Sequence, residues 1–436
     1  MSKEDRITLK EYESIDRDDK ILTNQYSKEL LGFLGSLGLK DALSISVTTV
    51  TASQYVGLIS FNGKKIEILP KLLGKRDQMT NVISELEKEK MMRSLLTMLS
   101  YTHRLKIRSN DITMFDFKRD HLLDVFIYLF SIDLYNGLMR EAPFRYERIS
   151  SKLGYIRGKI KFKDHIKSNV IDKSKLFCEY TNFQRDNLVN QTFLYVSMHL
   201  INITKSHEAK KKLNSIVKML EGVKLKSVMY NEIKSEVVGR SYQYLEQSFS
   251  FCKMFLKHNS PTLLSGNQNN FCILFNMNDV FEEFVFEFLW RNKEKIDSNI
   301  KEIEFQRGRK LFSGWENLVT NVRKVEDRRY IKNDIRIIFK NRAPIIIDTK
   351  YKILIDPFKI STADSFQMFM YSHLEREDES ILPQIILLYP ESSEQIHFKF
   401  PYKGNKTTLE VHTIPIDLDS ALNENEFCLN LKSILK

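Results

Sequence analysis

The chain has 436 residues and a mass of 51.5 kDa, with 42% hydrophobic and 28% charged residues. That is the mix of a folded chain with a sizeable core and about three domains' worth of length, and 15 Gly with 9 Pro are too few for a collagen-like or linker-rich one. Lys and Arg number 67 against 56 Asp and Glu, leaving +11 and a pI near 9.1, a balance that suits a polyanionic partner such as nucleic acid.

The N-terminus, MSKEDRITLKEYES, is charged and lacks the apolar core of a signal peptide. No uninterrupted apolar run approaches the ~18 residues of a membrane span, so a cytoplasmic location is expected. Residues 44–71 read as strands: ISVTTV is β-branched, and YVGLISF and KKIEILPK flank Asn62-Gly63. Asn-Gly suits a type I′ hairpin turn, whose two central residues need positive φ. A two-residue loop there sets Ile59 opposite Ile66, a cross-strand apolar pair. Gly63-Lys64-Lys65 is not a phosphate loop, because Gly57 stands one position out of register and no Ser or Thr follows the lysines. The chain is therefore not expected to hydrolyse a nucleotide itself.

Residues 82–100 have a charged helical pattern. Residues 121–141 are apolar nearly all round, as in a helix buried between layers. SSKLGYIRGKIKFKDH (150–165) is short, basic and strand-like, and helices are expected near 186–204 and 207–221. SPTLLSGNQNN (260–270) clusters Pro, Gly, Ser and Asn as a linker does. Beyond it, Asn278 is the expected cap of a helix with one apolar stripe, Val280, Phe281, Phe284, Val285, Phe288 and Leu289. A hairpin follows, NDIRIIFK (333–340) and APIIIDTKYKI (343–353), turning near Asn341-Arg342. Then come a helix at 361–375, capped by Ser361 or Thr362, and strands at 381–390, 396–400 and 409–418. The fold class is α+β grading into α/β: a β-rich and helical N-terminal region, and a C-terminal mixed central sheet flanked by helices.

Four cysteines lie far apart with no C-x-x-C pair, and the nine His show no H-E-x-x-H, so neither a disulfide framework nor a zinc site of those kinds is expected. Chemistry concentrates elsewhere. Asp348 and Lys350 lie two apart on a predicted strand and so share a face. The preceding Ile345, Ile346 and Ile347 mark a buried central strand. Asp334 sits on the partner strand, within a residue or two of Asp348 or Lys350 in any antiparallel register. Phosphodiester hydrolysis needs an activated water and charge neutralisation at phosphorus. Asp334 and Asp348, with the carbonyl of Thr349, are candidate Mg²⁺ ligands, and Lys350 is the candidate for orienting water or stabilising negative charge. A bare D-x-K matches often by chance and by itself reads sooner as a strand-edge salt bridge. Three features favour a site: Asp334 on the adjacent strand, Glu282 bordering the buried face of the upstream helix, and Gln367 with Tyr371 sharing a face of the next helix. Residues 301–352 hold fourteen Lys and Arg against seven Asp and Glu. Within that stretch Arg323, Lys324, Arg328, Arg329 and Lys332 are candidate contacts to DNA phosphates.

The order Glu282, Asp334, Asp348-Thr349-Lys350, Gln367-x-x-x-Tyr371 resembles the PD-(D/E)XK nuclease superfamily, its RecB-type branch in the Gln-x-x-x-Tyr element. Asn333 replaces the Pro of the superfamily name, which carries no metal ligand. Together with VGLISFNGKKIEILPK (56–71), LYNGLMRE (134–141), GYIRGKI (154–160), FQRDNLVN (183–190) and MNDVFEEFV (277–285), nearly the whole chain resembles the McrC family, nuclease subunits of McrBC-type modification-dependent restriction systems. The resemblance implies a partner-docking region over 1–170, a helical connecting region over 171–265 and a PD-(D/E)XK domain over 266–436. It also implies Mg²⁺, double-stranded DNA and a hexameric AAA+ GTPase partner of the McrB kind, stimulated on docking, with 70–95 as the candidate docking stretch. Two other readings stay open: a RecB-like nuclease of another defence or repair system with an ATP-using partner, and a non-cleaving activator of an AAA+ ring.

Overall fold

The computed structural model describes residues 6–16, 22–71, 85–102, 107, 122–168, 174–257, 270–310, 315–317, 322–324, 330–352, 354, 356–374, 383–391, 395–403, 407–416 and 421–435. Its N-terminal sheet has four strands, in the order Arg6–Lys10, Lys64–Leu69, Tyr55–Phe61 and Phe271–Asn276. The expected hairpin is present: Ile59 pairs with Ile66, and Asn62 and Gly63 take φ of +46° and +81°, as a type I′ turn requires. The ISVTTV run is not one strand. It turns back at Ser46, whose hydroxyl accepts from Thr49 N at 2.8 Å, and Leu43–Ile45 and Thr49–Ala52 form a hairpin that Ser14–Asp16 extends to three strands.

The fourth strand comes from far along the chain. Phe271–Asn276 lies just past the expected boundary at 265/266 and pairs antiparallel with Tyr55–Phe61. A Cβ on Gly57 would stand 2.0 Å from the carbonyl oxygen of Ile273, so the close approach of this strand needs a glycine there. The expected linker at 260–270 lies outside the described residues except for Asn270, whose side-chain oxygen accepts from Asn62 N at 2.7 Å.

The helical middle is built around Leu122–Arg140. By length and composition this helix could cross a membrane, yet two-thirds of its most apolar window is buried inside the protein, at 67%. Its one buried acid, Asp124, accepts from Thr204 Oγ1 at 2.6 Å and Lys205 N at 2.8 Å. It thereby satisfies the chain where Leu188–Ile203 ends and His207–Met219 begins. The FQRDNLVN segment is structural: Asn187 caps the first of these helices, and the amides of Asn187 and Asn190 both donate to the carbonyl of Pro143, at 2.8 and 2.7 Å.

Between these helices an arm extends: a three-stranded sheet in the order Arg145–Leu153, Leu176–Gln184, Lys159–Ile160. Residues 150–165 are only partly strand, for Phe162–Ser168 is a helix. The strand-like reading holds for Lys159–Ile160, which pairs with the Leu176–Gln184 strand.

In the C-terminal part, Met277–Ile296 buries the whole predicted stripe. Its cap is Asn276, whose side chain accepts from Asn278 N at 3.1 Å, and not Asn278; the helix begins two residues earlier because the incoming strand ends at Asn276. A six-stranded mixed sheet follows, in the order Ile300–Phe305, Ile335–Phe339, Ile345–Thr349, Gln384–Pro390, Thr408–Ile414, His397–Pro401. The three strands from Ile345–Thr349 to Thr408–Ile414 are mutually parallel. On one side Ile345 and Ile347 join a core with Phe281 and Phe427, from the Met277–Ile296 and Ala421–Ile434 helices. On the other, Ile346 packs with Met368 and Tyr371 of the Thr362–Leu374 helix. Both faces are covered, which is why the Ile345–Ile347 run shows no polar alternation. Ser361 is the cap of the Thr362–Leu374 helix, accepting from Asp364 N at 3.0 Å.

Candidate active site

Ile335 pairs with Ile347 and Ile337 with Ile345. One step further, that register sets Asp334 opposite Asp348 at the carboxyl end of the central strand. The period of two turns Asp348 and Lys350 to the side of Ile346 and the Thr362–Leu374 helix. There Lys350 Nζ lies 2.6 Å from Asp348 Oδ2, 3.3 Å from Gln367 Oε1 and 3.5 Å from Asp364 Oδ1. Gln367 Nε2 in turn donates to Tyr371 Oη at 2.7 Å, and the Tyr371 hydroxyl donates to the carbonyl of Lys332. Across the hairpin, Asp334 Oδ2 accepts from Thr349 N at 2.7 Å and from Thr349 Oγ1 at 2.9 Å. Glu282 joins from the Met277–Ile296 helix: its Oε1 accepts from Gln306 Nε2 at 2.9 Å, and Gln306 N donates to the carbonyl of Asp334 at 2.8 Å.

The electrostatics of this group are those of crowded, buried acids. Burial raises the Asp348 carboxyl well above its ordinary range, and the charge of Asp334 raises it further; Lys350 offsets only part of that. Asp334 is likewise raised, by burial first and by Glu282 second, and Glu282 by burial first, with Asp348 among its neighbours. Burial alone would lower Lys350, but Asp348, Asp364 and Asp334 outweigh it and hold the ammonium protonated. The second oxygen of Asp348, Oδ1, is buried with no hydrogen-bond partner among the described residues. A buried carboxylate oxygen left in that state invites a cation or a water.

The six predicted residues Glu282, Asp334, Asp348, Lys350, Gln367 and Tyr371 thus meet in one place. The basic cluster is less unified. Lys332 is exposed beside Asp334, on a strand Tyr330–Lys332 paired with Gly308–Lys310. Arg323 and Lys324 belong to a separate two-stranded ribbon, and Arg328 and Arg329 lie outside the described residues. Two members of the site carry no motif. Asp364, buried and 3.6 Å from Lys352 Nζ, reads in sequence as an ordinary acid in a helix's first turn. Gln306, at φ +48°, follows a strand end with nothing to distinguish it.

Among the described residues no group of three or more His, Cys, Asp or Glu side chains is arranged to hold a metal ion.

A family model described as the McrBC 5-methylcytosine restriction system component matches residues 50–390. None of the curated proteins matches the chain. Among solved structures, a chain of a half-complex refined from a tetradecameric assembly of Thermococcus gammatolerans McrB AAA+ hexamers with bound McrC is similar at TM-score 0.70 and 17% identity, covering 98% of this chain and 100% of that one. A chain of the Thermococcus gammatolerans McrBC complex is similar at TM-score 0.50 and 18% identity, covering 66% of this chain and 88% of that one. At such identities the structural likeness speaks for the fold alone. The family model, spanning most of the chain and every site residue named above, does more: this chain belongs to the McrBC 5-methylcytosine restriction system component family.

Proposed function

We propose that this chain is the DNA-cleaving subunit of a McrBC-type complex, a Mg²⁺-dependent endonuclease of the PD-(D/E)XK kind. The observation that carries the reading is the meeting of Asp334, Asp348 and Lys350 at the end of one buried hairpin. Asp334, Asp348 and the Thr349 carbonyl would hold the ion, with Glu282 behind them. Bound there, Mg²⁺ supplies charge neutralisation and a more acidic water. Lys350 is kept protonated by three acids, so it acts as a donor to phosphate oxygens and not as a base. Gln367 and Tyr371 hold the lysine's head in place through the chain of hydrogen bonds back to Lys332. Lys332, exposed beside Asp334, would meet the DNA backbone in this reading.

The partner in this reading is a hexameric AAA+ GTPase, which docking stimulates. The Thermococcus gammatolerans assembly, McrB AAA+ hexamers with bound McrC, supports it. So does the arm, which leaves Tyr146, Tyr155, Ile156, Phe162, Ile166 and Phe183 exposed, an unusual amount of apolar surface for one small sheet. Of the stretch 70–95, residues 72–84 lie outside the described residues. The helix after them, Glu85–Tyr101, turns Met91, Met92, Leu95 and Leu96 into the core and leaves Leu86 exposed beside its charged side.

The test combines purified chain, partner, GTP, Mg²⁺ and methylated DNA. Wild type should cut. Lys350→Ala should abolish cutting and leave the partner's GTP hydrolysis stimulated. Normal cutting by that variant removes the site assignment. A wild type that stimulates hydrolysis and never cuts leaves a ring activator in its place.

A further inference from the structure

Behind the site the Lys350 strand is fastened to the N-terminal sheet by a buried polar cluster that the reaction as read above does not use. Lys71, the last residue of the ILPK segment, sends its Nζ 2.8 Å to the carbonyl of Tyr351, the residue after Lys350. The same ammonium stands 4.3 Å from the Tyr351 ring centroid and 4.9 Å from that of Tyr12. Its backbone N–H donates to Glu11 Oε2 at 3.2 Å, and Glu11 N donates to the carbonyl of Leu69 at 2.9 Å. Glu11 is 3% and Tyr351 1% exposed. The Tyr351 ring also meets Phe281, with centroids 5.6 Å apart, and Phe281 precedes Glu282. One aromatic ring therefore touches the neighbour of Glu282, carries the backbone after Lys350, and lies under an amine from residue 71.

A charged amine and a carboxylate are costly to bury unless they are paired. Glu11 pays that cost, its carboxyl pushed up to about 7 by burial despite Lys71. An apolar plug would hold two sheets together with less penalty. What the ammonium adds is direction: it fixes the Tyr351 carbonyl at the point where the strand has ended and its ladder no longer does. Lys350 N is still bonded to Leu388 O, at 2.9 Å, and Lys352 N turns back on Lys350 O, at 2.7 Å. Between those bonds the peptide after Lys350 has Lys71 as its anchor.

The geometry points to Lys71, seated on Glu11, as a positioning residue for Lys350: through the Tyr351 carbonyl it sets the direction of the lysine that meets the phosphate. The inference rests on the reading of Lys350 given above. It also makes cleavage depend on a sheet that contributes no reacting group.

The experiment uses the full chain with its partner, GTP, Mg²⁺ and methylated DNA. Three variants are compared, Lys71→Met, Lys71→Arg and Lys350→Ala. Lys71→Met keeps the stem and loses the donor. It should slow single-turnover cutting at least tenfold at saturating DNA, with half-saturating DNA and stimulated GTP hydrolysis unchanged and the thermal midpoint lowered by the loss of Glu11's partner. Lys71→Arg should restore cutting to within about threefold of wild type, because the conservative variant again donates to the carbonyl. Cutting by Lys71→Met at the wild-type rate overturns the inference. So does a parallel loss of cutting, stimulation and thermal midpoint, which marks Lys71 as a packing residue only. Lys350→Ala separates this failure from that of the underlying reading: if it cuts normally, the site is misassigned; if it is dead while Lys71→Met is normal, the positioning role alone falls.

Discussion

The arm sheet and the six-stranded sheet break the same rule in opposite directions. In the arm, aromatic residues stand outside: Tyr146 is 77% exposed, and Phe183, at 47%, stacks on Phe144 at 4.2 Å without being covered. In the six-stranded sheet, charge stands inside: Asp348 is 1% exposed, with acids from two other elements close enough to raise it. Each is a local cost that the surrounding fold carries, and such departures concentrate where a protein meets something else. In the proposed reading the exposed rings take an apolar partner surface and the buried acids take a cation. The two regions are separated by the helical middle, so docking and cutting should fail independently.

The strongest way to break that independence is at the buried acids. Asp348→Asn should lower cutting at least about 100-fold, as loss of a group that acts on the reacting phosphate does, with partner binding and stimulated GTP hydrolysis intact. Loss of both activities together would join the two regions into one. At the arm, Tyr146→Ser with Phe183→Ser should weaken partner binding by about 2 kcal/mol, on the order of 30-fold. The thermal midpoint should barely move, since the rings are exposed, and any remaining complex should cut at its normal rate. An unchanged affinity would take the arm out of the interface.

A third comparison uses pH. Asp334 and Asp348 have raised values in the folded state, each by burial first, and then Asp334 by Glu282 and Asp348 by Asp334. The fold therefore binds their protons more tightly than the unfolded chain does. Their contribution is complete at low pH and is lost as pH climbs from about 4 to near neutrality. Metal-free protein should lose thermal midpoint over that window, Asp348→Asn should lose less, and Mg²⁺ should flatten the wild-type curve. Arm variants should leave all three curves alone. The smallest effect expected is at the root of the arm. Asn187 donates to the carbonyl of Pro143 and caps the following helix, so Asn187→Ala should cost about 1–2 kcal/mol in a denaturant melt. If that change also lowered cutting, the root would be transmitting between the regions.

Much of this was legible in the residues, and for a common reason: the signals were local. Asn62-Gly63 fixes a turn type, and the register of Ile59 on Ile66 follows from it. The stripe from Val280 to Leu289 defines the buried face of its helix. Asp348 and Lys350 share a face because strands repeat every two residues, and Asp334 arrives beside them because a tight hairpin leaves little choice of register. Where the pattern was weaker the local reading slipped, as at Asn278, which follows the cap instead of being it, and at Phe162–Ser168, where a helix interrupts a strand-like stretch.

The long-range pairings had no such signal. Phe271–Asn276 joins a sheet whose other strands end at Leu69, and Lys71 reaches the residue after Lys350 across 280 positions. Asp364 and Gln306 enter the site only because their elements are packed there. Short-range periodicity determined which faces are apolar and which side chains of one hairpin meet. Which distant segments lie beside those faces was decided by tertiary packing, since burial rewards any complementary surface and leaves no fixed spacing in the chain to read.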